Sequence, residues 1–315
     1  MGRFLQTICV TLIVSCTANS VIAQEQKVRF AYLAVVDLLP YYVADKKGYF
    51  KELGISVESI PMTGGPAIAS AVMSGSADVG YAGTVPIISA RIQGLPLKFF
   101  SGIALDQVPD HHMNIFVGSP KLGITSVKDL VGKVVAMNTQ GGQCDLVMRN
   151  SLADAGIPLD QVKVTNIPFP QTQAALALGN IAAGCTAEPF LAGMKQAGMT
   201  NIVMKGLVRG KLLTQPQLHT GIFAKEEWLV ANREAAKKFR DSLAKAIEFM
   251  KANEPEARQI LVEYTKLSPD VVKDVTLALQ TVELNPAQLQ PVIDATVDAK
   301  LFDKRLNASD LLFQF

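Results

Sequence analysis

Residues 57–86, VESIPMTGGPAIASAVMSGSADVGYAGTVP, are written a second time at 164–190 as VTNIPFPQTQAALALGNIAAGCTAEPF. Both stretches read as a short strand ending in Ile-Pro, an alanine-rich helix, a Gly turn, a small-residue strand and a helix start with Pro. Ile60-Pro61 answers Ile167-Pro168 at an offset of 107, and Gly75 answers Gly179 at 104, which puts a three-residue difference near Thr63-Gly64-Gly65. Units repeated at a short fixed period build solenoids, whereas one long-range repeat builds two similar lobes. Two lobes imply a cleft between them.

In the first lobe, strands are expected over 28–36, 55–60, 77–82 and 97–103, with helices opening at Pro40, Pro66 and Pro86. Strands alternating with helices argue for parallel βαβ units. Every connection of interest then runs from the carboxyl end of a strand to the amino end of a helix. Ligands of open α/β sheets gather at that edge, where helix starts offer unpaired N–H groups. Asp37, Thr63, Gly64, Gly65 and Thr84 are the candidates there, although each is also an ordinary cap or turn residue.

In the second lobe, a strand over 134–137 leads into Asn138-Thr139-Gln140-Gly141-Gly142 and a helix beginning near Cys144. No Gly-Lys-Ser/Thr follows, so this is not a phosphate-binding P-loop. Asn138, Thr139 and Gln140 can offer amide and backbone donors to something small. Glu188-Pro189-Phe190 holds the place that Thr84 to Pro86 hold in the first unit; its carboxylate suits a helix cap and equally an amine or ring N–H. A strand from His219 and Thr220 to Ala224 returns to the first lobe, and residues 226–253 are expected as one long amphipathic helix. The stripe Cys144, Val147, Met148, Leu152 reads Cys144 as a buried thiol, with a bridge to Cys185 as the alternative. The boundaries drawn are 27–116 plus 218–250 for one lobe, 117–217 for the other, and 251–315 for C-terminal helices packing on both.

Residues 1–23 have the layout of an export signal, cut either after Ala23 or before a lipid-bearing Cys16. No later stretch reaches the ~18 apolar residues of a spanning helix. The formal charge of +2 falls to +1 without Arg3 and no basic run is present, so nucleic acid is not an expected partner. No Cys/His spacing suits a metal, and neighbouring His111 and His112 point to opposite sides of an extended segment. One of them could face the cleft, or both could be solvated. Neither Gly-x-Ser-x-Gly nor His-Glu-x-x-His occurs. Asp37 with Glu188 could form a glycosidase acid pair, but that chemistry needs an aromatic-rich sugar groove, and the chain is 7% aromatic with one Trp, Trp228. Catalysis is not expected.

Four motifs form a set: Ala44-Asp45-Lys46-Lys47-Gly48-Tyr49-Phe50, Gly75-Ser76-Ala77-Asp78-Val79-Gly80, Gly132-Lys133-Val134-Val135-Ala136, and Glu188-Pro189-Phe190. Together they resemble the periplasmic substrate-binding proteins of ABC importers, within the nitrate, sulfonate, taurine and thiamine-precursor branch. The chain departs from that branch at Ala182, where Asp is frequent, and at Ala187, where an aromatic is frequent; it also lacks the cysteine-rich motif of the fungal pyrimidine-synthesising relatives. The resemblance implies an α/β, two-lobed type II periplasmic binding protein fold that closes like a hinged clamp. It implies a monomer without cofactor that hands a small-molecule solute to a membrane permease. By position it also assigns the ligand to Asp37, Thr63 to Gly65, Thr84, Asn138 to Gln140, Glu188, His219 and Thr220. No arginine falls on those loops, so the expected solute pairs acceptors with an amine or ring N–H, as an aminosulfonate or aminopyrimidine does. An exported enzyme or a sensor's ligand-binding lobes on the same fold is the alternative.

Overall fold

The computed structural model describes residues 26–62, 64–106, 113–209 and 215–315. The first lobe opens with β1 (Gln26–Tyr32), α1 (Leu39–Lys46), α2 (Tyr49–Glu52) and β2 (Ile55–Pro61). It continues with α3 (Gly65–Ser74), β3 (Val79–Gly83), α4 (Thr84–Ile92) and β4 (Leu97–Asp106). The second holds β5 (Ile115–Gly118), β6 (Val134–Met137), α5 (Gln143–Asp154), β7 (Lys163–Asn166), α6 (Phe169–Leu178), β8 (Ala183–Thr186), α7 (Phe190–Gln196) and β9 (Ile202–Lys205). The chain returns through β10 (Gln217–Lys225), α8 (Glu226–Ala231), α9 (Arg233–Ala252) and α10 (Glu254–Thr265), and ends with α11 (Pro269–Asp274), β11 (Leu279–Gln280) and α12 (Pro286–Asp298). No helix of the described residues is long and apolar enough to cross a membrane.

The six-stranded sheet runs β11-β4-β10-β3-β1-β2 and the five-stranded sheet β7-β6-β8-β5-β9. In the first, β1 lies parallel between β2 and β3; in the second, β6 lies parallel between β7 and β8. The written repeat is therefore a repeat of architecture. The expected parallel βαβ units are present, but not every pairing is parallel. In the C-terminal segment, expected as helices alone, β11 pairs antiparallel with the outer edge of β4; within the sheets β10 runs antiparallel between β3 and β4, as β5 does between β8 and β9. Each of β10 and β5 is the first strand after the chain crosses between lobes, so it enters its sheet at the cleft edge, where the parallel strands end. Ile115 and Phe116 thus belong to the second sheet, two residues before the boundary drawn at 117.

Local chemistry explains three further departures. Strand β1 stops at Tyr32, and a single 3-10 turn over Val36–Leu38 carries Asp37 towards the cleft. The long helix expected over 226–253 is broken at Asn232, whose φ of −120° and ψ of 34° are not helical, and whose Nδ2 caps the Trp228 carbonyl at 3.0 Å. Cys144 is not a free thiol. The start of α5 packs over β8, bringing the Cα atoms of Cys144 and Cys185 to 6.1 Å, and the two form a disulfide.

Matched positions of the lobes solve matched problems. Helices α3 and α6 end at Gly75 (φ 77°) and Gly179 (φ 73°), left-handed caps that a Cβ would strain. Gly80 of β3 and Gly184 of β8 let those helices settle onto their sheets. A Cβ at Gly80 would lie 2.5 Å from the Phe223 ring and 2.8 Å from Ile68, and one at Gly184 would lie 2.3 Å from the Thr172 methyl. We expect Gly80→Ala and Gly184→Ala each to lower stability by about 1–3 kcal/mol, read from the urea midpoint; an unmoved midpoint would mean the helices are not seated so closely.

One matched position differs. Asp78 accepts from the Arg29 N–H at 2.9 Å and from its guanidinium at 3.0 and 2.6 Å. Burial pushes the Asp78 carboxyl up, yet the Arg29 bonds outweigh it and leave it below the ordinary value. In the second lobe, Val134 and Ala182 stand in those places, and the backbone bond alone survives, from Ala182 N to Val134 O at 2.7 Å. The Asp missing at 182 is thus the missing half of an ion pair that fastens two strands.

The outer face of the first sheet is covered by aromatics: Phe30 of β1 meets Tyr41 of α1 at 4.7 Å and Phe239 of α9 at 5.3 Å between ring centroids. The C-terminal segment reaches both lobes. Helix α12 packs against α4, β10 and α5, and Asp274 of α11 accepts from Gln196 of α7 at 3.1 Å.

Candidate functional site

The carboxyl ends of β1, β2 and β3 face those of β6, β7 and β8 across the cleft. Its outer chamber holds about 570 Å³. Leu33, Val35, Met62, Pro66 and Ala67 of the first lobe oppose Pro168, Phe169, Pro170 and Phe190 of the second. The rings of Phe169 and Phe190 sit 6.1 Å apart. An inner chamber of about 70 Å³ continues from it to Asp37, Tyr81, Gly83, Gln143, His219 and Thr220. Body space is therefore apolar, and polar groups are confined to one end.

Helices α3 and α5 start at this junction with Gly64 and Gly142 as N-caps, and neither has a side-chain cap. The N–H groups of Gly65 and Ala67 in α3, where Pro66 has none, and of Gln143 and Cys144 in α5 are left for solvent or a ligand, and the positive dipole ends favour an anion or a strong acceptor. The Asp145 carboxylate in the first turn of α5 is itself engaged by Gly141 N at 2.9 Å and Arg149 Nε at 2.7 Å. Asn138 and Thr139 line both chambers beside them. The lobes come so close that Thr139 Oγ1 lies 3.7 Å from where a Cβ on Gly64 would sit.

Asp37 faces inward but is already engaged. Its Oδ2 accepts from the Tyr81 hydroxyl at 2.6 Å and the Thr220 hydroxyl at 2.9 Å. Burial pushes its carboxyl up from the ordinary value, against those hydrogen bonds. His219 is 3% exposed with no partner on Nδ1, and burial lowers it from 6.5 to about 3, so its ring is neutral at ordinary pH.

The residues singled out in the sequence are only partly brought together. Asp37, Gly64, Gly65, Asn138, Thr139, His219 and Thr220 line the chambers. Thr84 is buried behind Gly83 with its hydroxyl unpartnered, and Gln140 lines a separate groove between α3 and α4. Glu188 lines neither chamber but shares a small cavity of about 10 Å³ with Asp37 and Met113. Its Oε2 accepts from Ala192 N at 3.0 Å and its Oε1 from Thr276 N at 3.3 Å, so it fastens the second lobe to the C-terminal segment. Burial pushes this carboxyl up as well. Thr63, His111 and His112 lie outside the described residues. Among the described residues no group of His, Cys, Asp and Glu could hold a metal ion.

Sequence reading missed Gln143, Phe169, Phe190 and Asp106. The first three sit at helix starts following β6, β7 and β8, so the strand-end rule that selected Asn138 could have reached them. Asp106, at the end of β4, accepts from Met113 N at 3.0 Å and Leu207 N at 3.4 Å, tying both inter-lobe crossings to one carboxylate. Burial pushes that carboxyl up to about 6.

A binding protein of Brucella abortus is 24% identical over 232 residues, covering 71% of this chain and 67% of its own. The alkanesulfonate-binding protein SsuA of Xanthomonas axonopodis pv. citri, solved bound to MOPS, superposes with a TM-score of 0.76 at 20% identity, over 92% of this chain and 99% of its own. The nitrate-binding protein NrtA of Synechocystis PCC 6803 superposes with a TM-score of 0.66 at 18% identity, over 79% and 69%. At these identities the two structures establish the fold: a two-lobed α/β periplasmic binding protein fold. A family model described as NMT1/THI5 like matches residues 36–257, and the chain accordingly belongs to the NMT1/THI5-like family.

Proposed function

We propose that the protein is the extracytoplasmic substrate-binding component of an ABC importer, closing its lobes on a small organic solute and delivering it to a membrane permease. The observation that carries this reading is the cleft itself: an apolar chamber of about 570 Å³ leading to the uncapped starts of α3 and α5. The names of SsuA and NrtA support an anion-binding role for the fold.

Glu188 spends its carboxylate on backbone N–H groups and Asp37 holds two hydroxyls, so a ligand amine is less well served than an acceptor. The solute we favour is a sulfonate or carboxylate carrying an apolar body, its head on the helix starts with Asn138 and Thr139 and its body against Phe169 and Phe190. An aminopyrimidine is the weaker fit.

Thermal unfolding against alkanesulfonates, aromatic carboxylates, taurine, nitrate and aminopyrimidines tests this. A solute at 100 times its Kd adds about 2.7 kcal/mol and moves the midpoint by several degrees. The expected result is a shift with an apolar-bodied sulfonate or carboxylate recovered unchanged. A shift with aminopyrimidines alone would overturn the head-group chemistry, and chemical conversion of the solute would replace capture with catalysis.

A further inference from the structure

The register of β10 with β4 steps from Leu218 to Thr220, passing over His219, and its pairing with β3 begins at Thr220. A residue bypassed in this way at a bulge turns its groups out of the ladder. The His219 carbonyl faces the inner chamber, and Gln143, first residue of α5 in the opposite lobe, donates to it from Nε2 at 3.0 Å. Space for that amide exists because position 83 carries no side chain. A Cβ on Gly83 would lie 1.5 Å from Gln143 Nε2 and 2.1 Å from its Oε1. The Gly83 backbone does not itself require glycine, since its φ of −67° suits any residue. What it supplies is a notch.

We propose that Gln143 is the latch of the clamp: its carboxamide crosses the cleft, seats in the notch at Gly83 and holds the closed state by its bond to the His219 carbonyl. The same side chain walls the inner chamber, so a solute's head stops at Asn138 and Thr139 while the latch is seated. A neutral amide suits this half-buried position, because its acceptor is an uncharged carbonyl and a charge drawn out of water there would need a partner. The inference rests on reading the two lobes as a clamp, but its test does not need the solute to be known.

Nitroxide labels at Ser70→Cys on α3 and Gln171→Cys on α6, both exposed, report the inter-lobe distance in the chain from residue 24; Cys144 and Cys185 are bonded to each other and take no label. Gln143→Ala removes the latch, and Gly83→Ala evicts its amide from the notch. Each should lower the ratio of short to long distances by about two- to tenfold, the range of one hydrogen bond. The double variant should go no further than either single one. Thermal midpoints close to the parent's would show that the fold is intact. Two distance populations in the parent with an unchanged ratio in Gln143→Ala, or effects that add in the double variant, would overturn the latch and leave the clamp standing. One fixed distance in every variant and with every solute of the panel would overturn both.

Discussion

Replacing Cys144 and Cys185 together by Ala should lower the stability of this protein by about 4 kcal/mol, the loop-closure value for their sequence separation of 41. The thermal midpoint should fall by on the order of 10 °C, and a reductant should move the parent towards the variant without moving the variant. The bond also acts on the site. Cys144 is the second residue of α5, whose uncapped start faces the cleft, and Cys185 lies in β8 between β6 and β5 in the second sheet. Cutting the tether frees the helix start that carries Gln143, so solute binding should weaken more than the loss of global stability explains. A midpoint within a degree or two of the parent's would mean that packing alone holds α5 in place.

The architecture was legible because it rests on patterns that sequence carries directly. A repeat of strand, helix, Gly cap and strand can be read wherever it is written, and Gly75 and Gly179 are glycines for one backbone reason in both lobes. The antiparallel β5 and β10 were not legible, since their direction follows from where the chain crosses between lobes, and nothing local encodes that. Candidate site residues were found by position, at the strand ends, which is why Asn138, Thr139, Gly64 and Asp37 do line the cleft. Their bonding was not readable in the same way. Whether a carboxylate such as Glu188 is open to a ligand depends on which distant N–H groups reach it, and Thr276 is 88 positions away. Gln143 was hidden for the same reason: its partner is 76 positions distant and its notch is defined by a missing Cβ in the other lobe.

Asp37 gives the second large effect, and the direction depends on the replacement. Both of its side-chain bonds fall on Oδ2, from Tyr81 and Thr220, and both donors are neutral hydroxyls in a buried setting. Asp37→Ala strands two buried hydroxyls at about 1–3 kcal/mol each, so a loss of roughly 2–6 kcal/mol is expected. Asp37→Asn keeps an acceptor oxygen in place and removes the charge, so it should stay within about 1 kcal/mol of the parent. Their pH dependence separates the cases further. Burial raises the folded Asp37 carboxyl above its ordinary value, so its contribution is fully present below the unfolded pKa and is lost as pH rises through the folded one. Parent minus Asp37→Asn should therefore become steadily less favourable to the parent as the solution moves from acid towards neutral. His219 works the other way, losing stability as pH falls from 6.5 towards about 3, but it is present in both proteins and cancels in the difference. If Asp37→Ala cost no more than Asp37→Asn, the hydroxyls would not depend on this carboxylate, and Asp37 would be free to receive a donor from the solute as its position in the sequence first suggested.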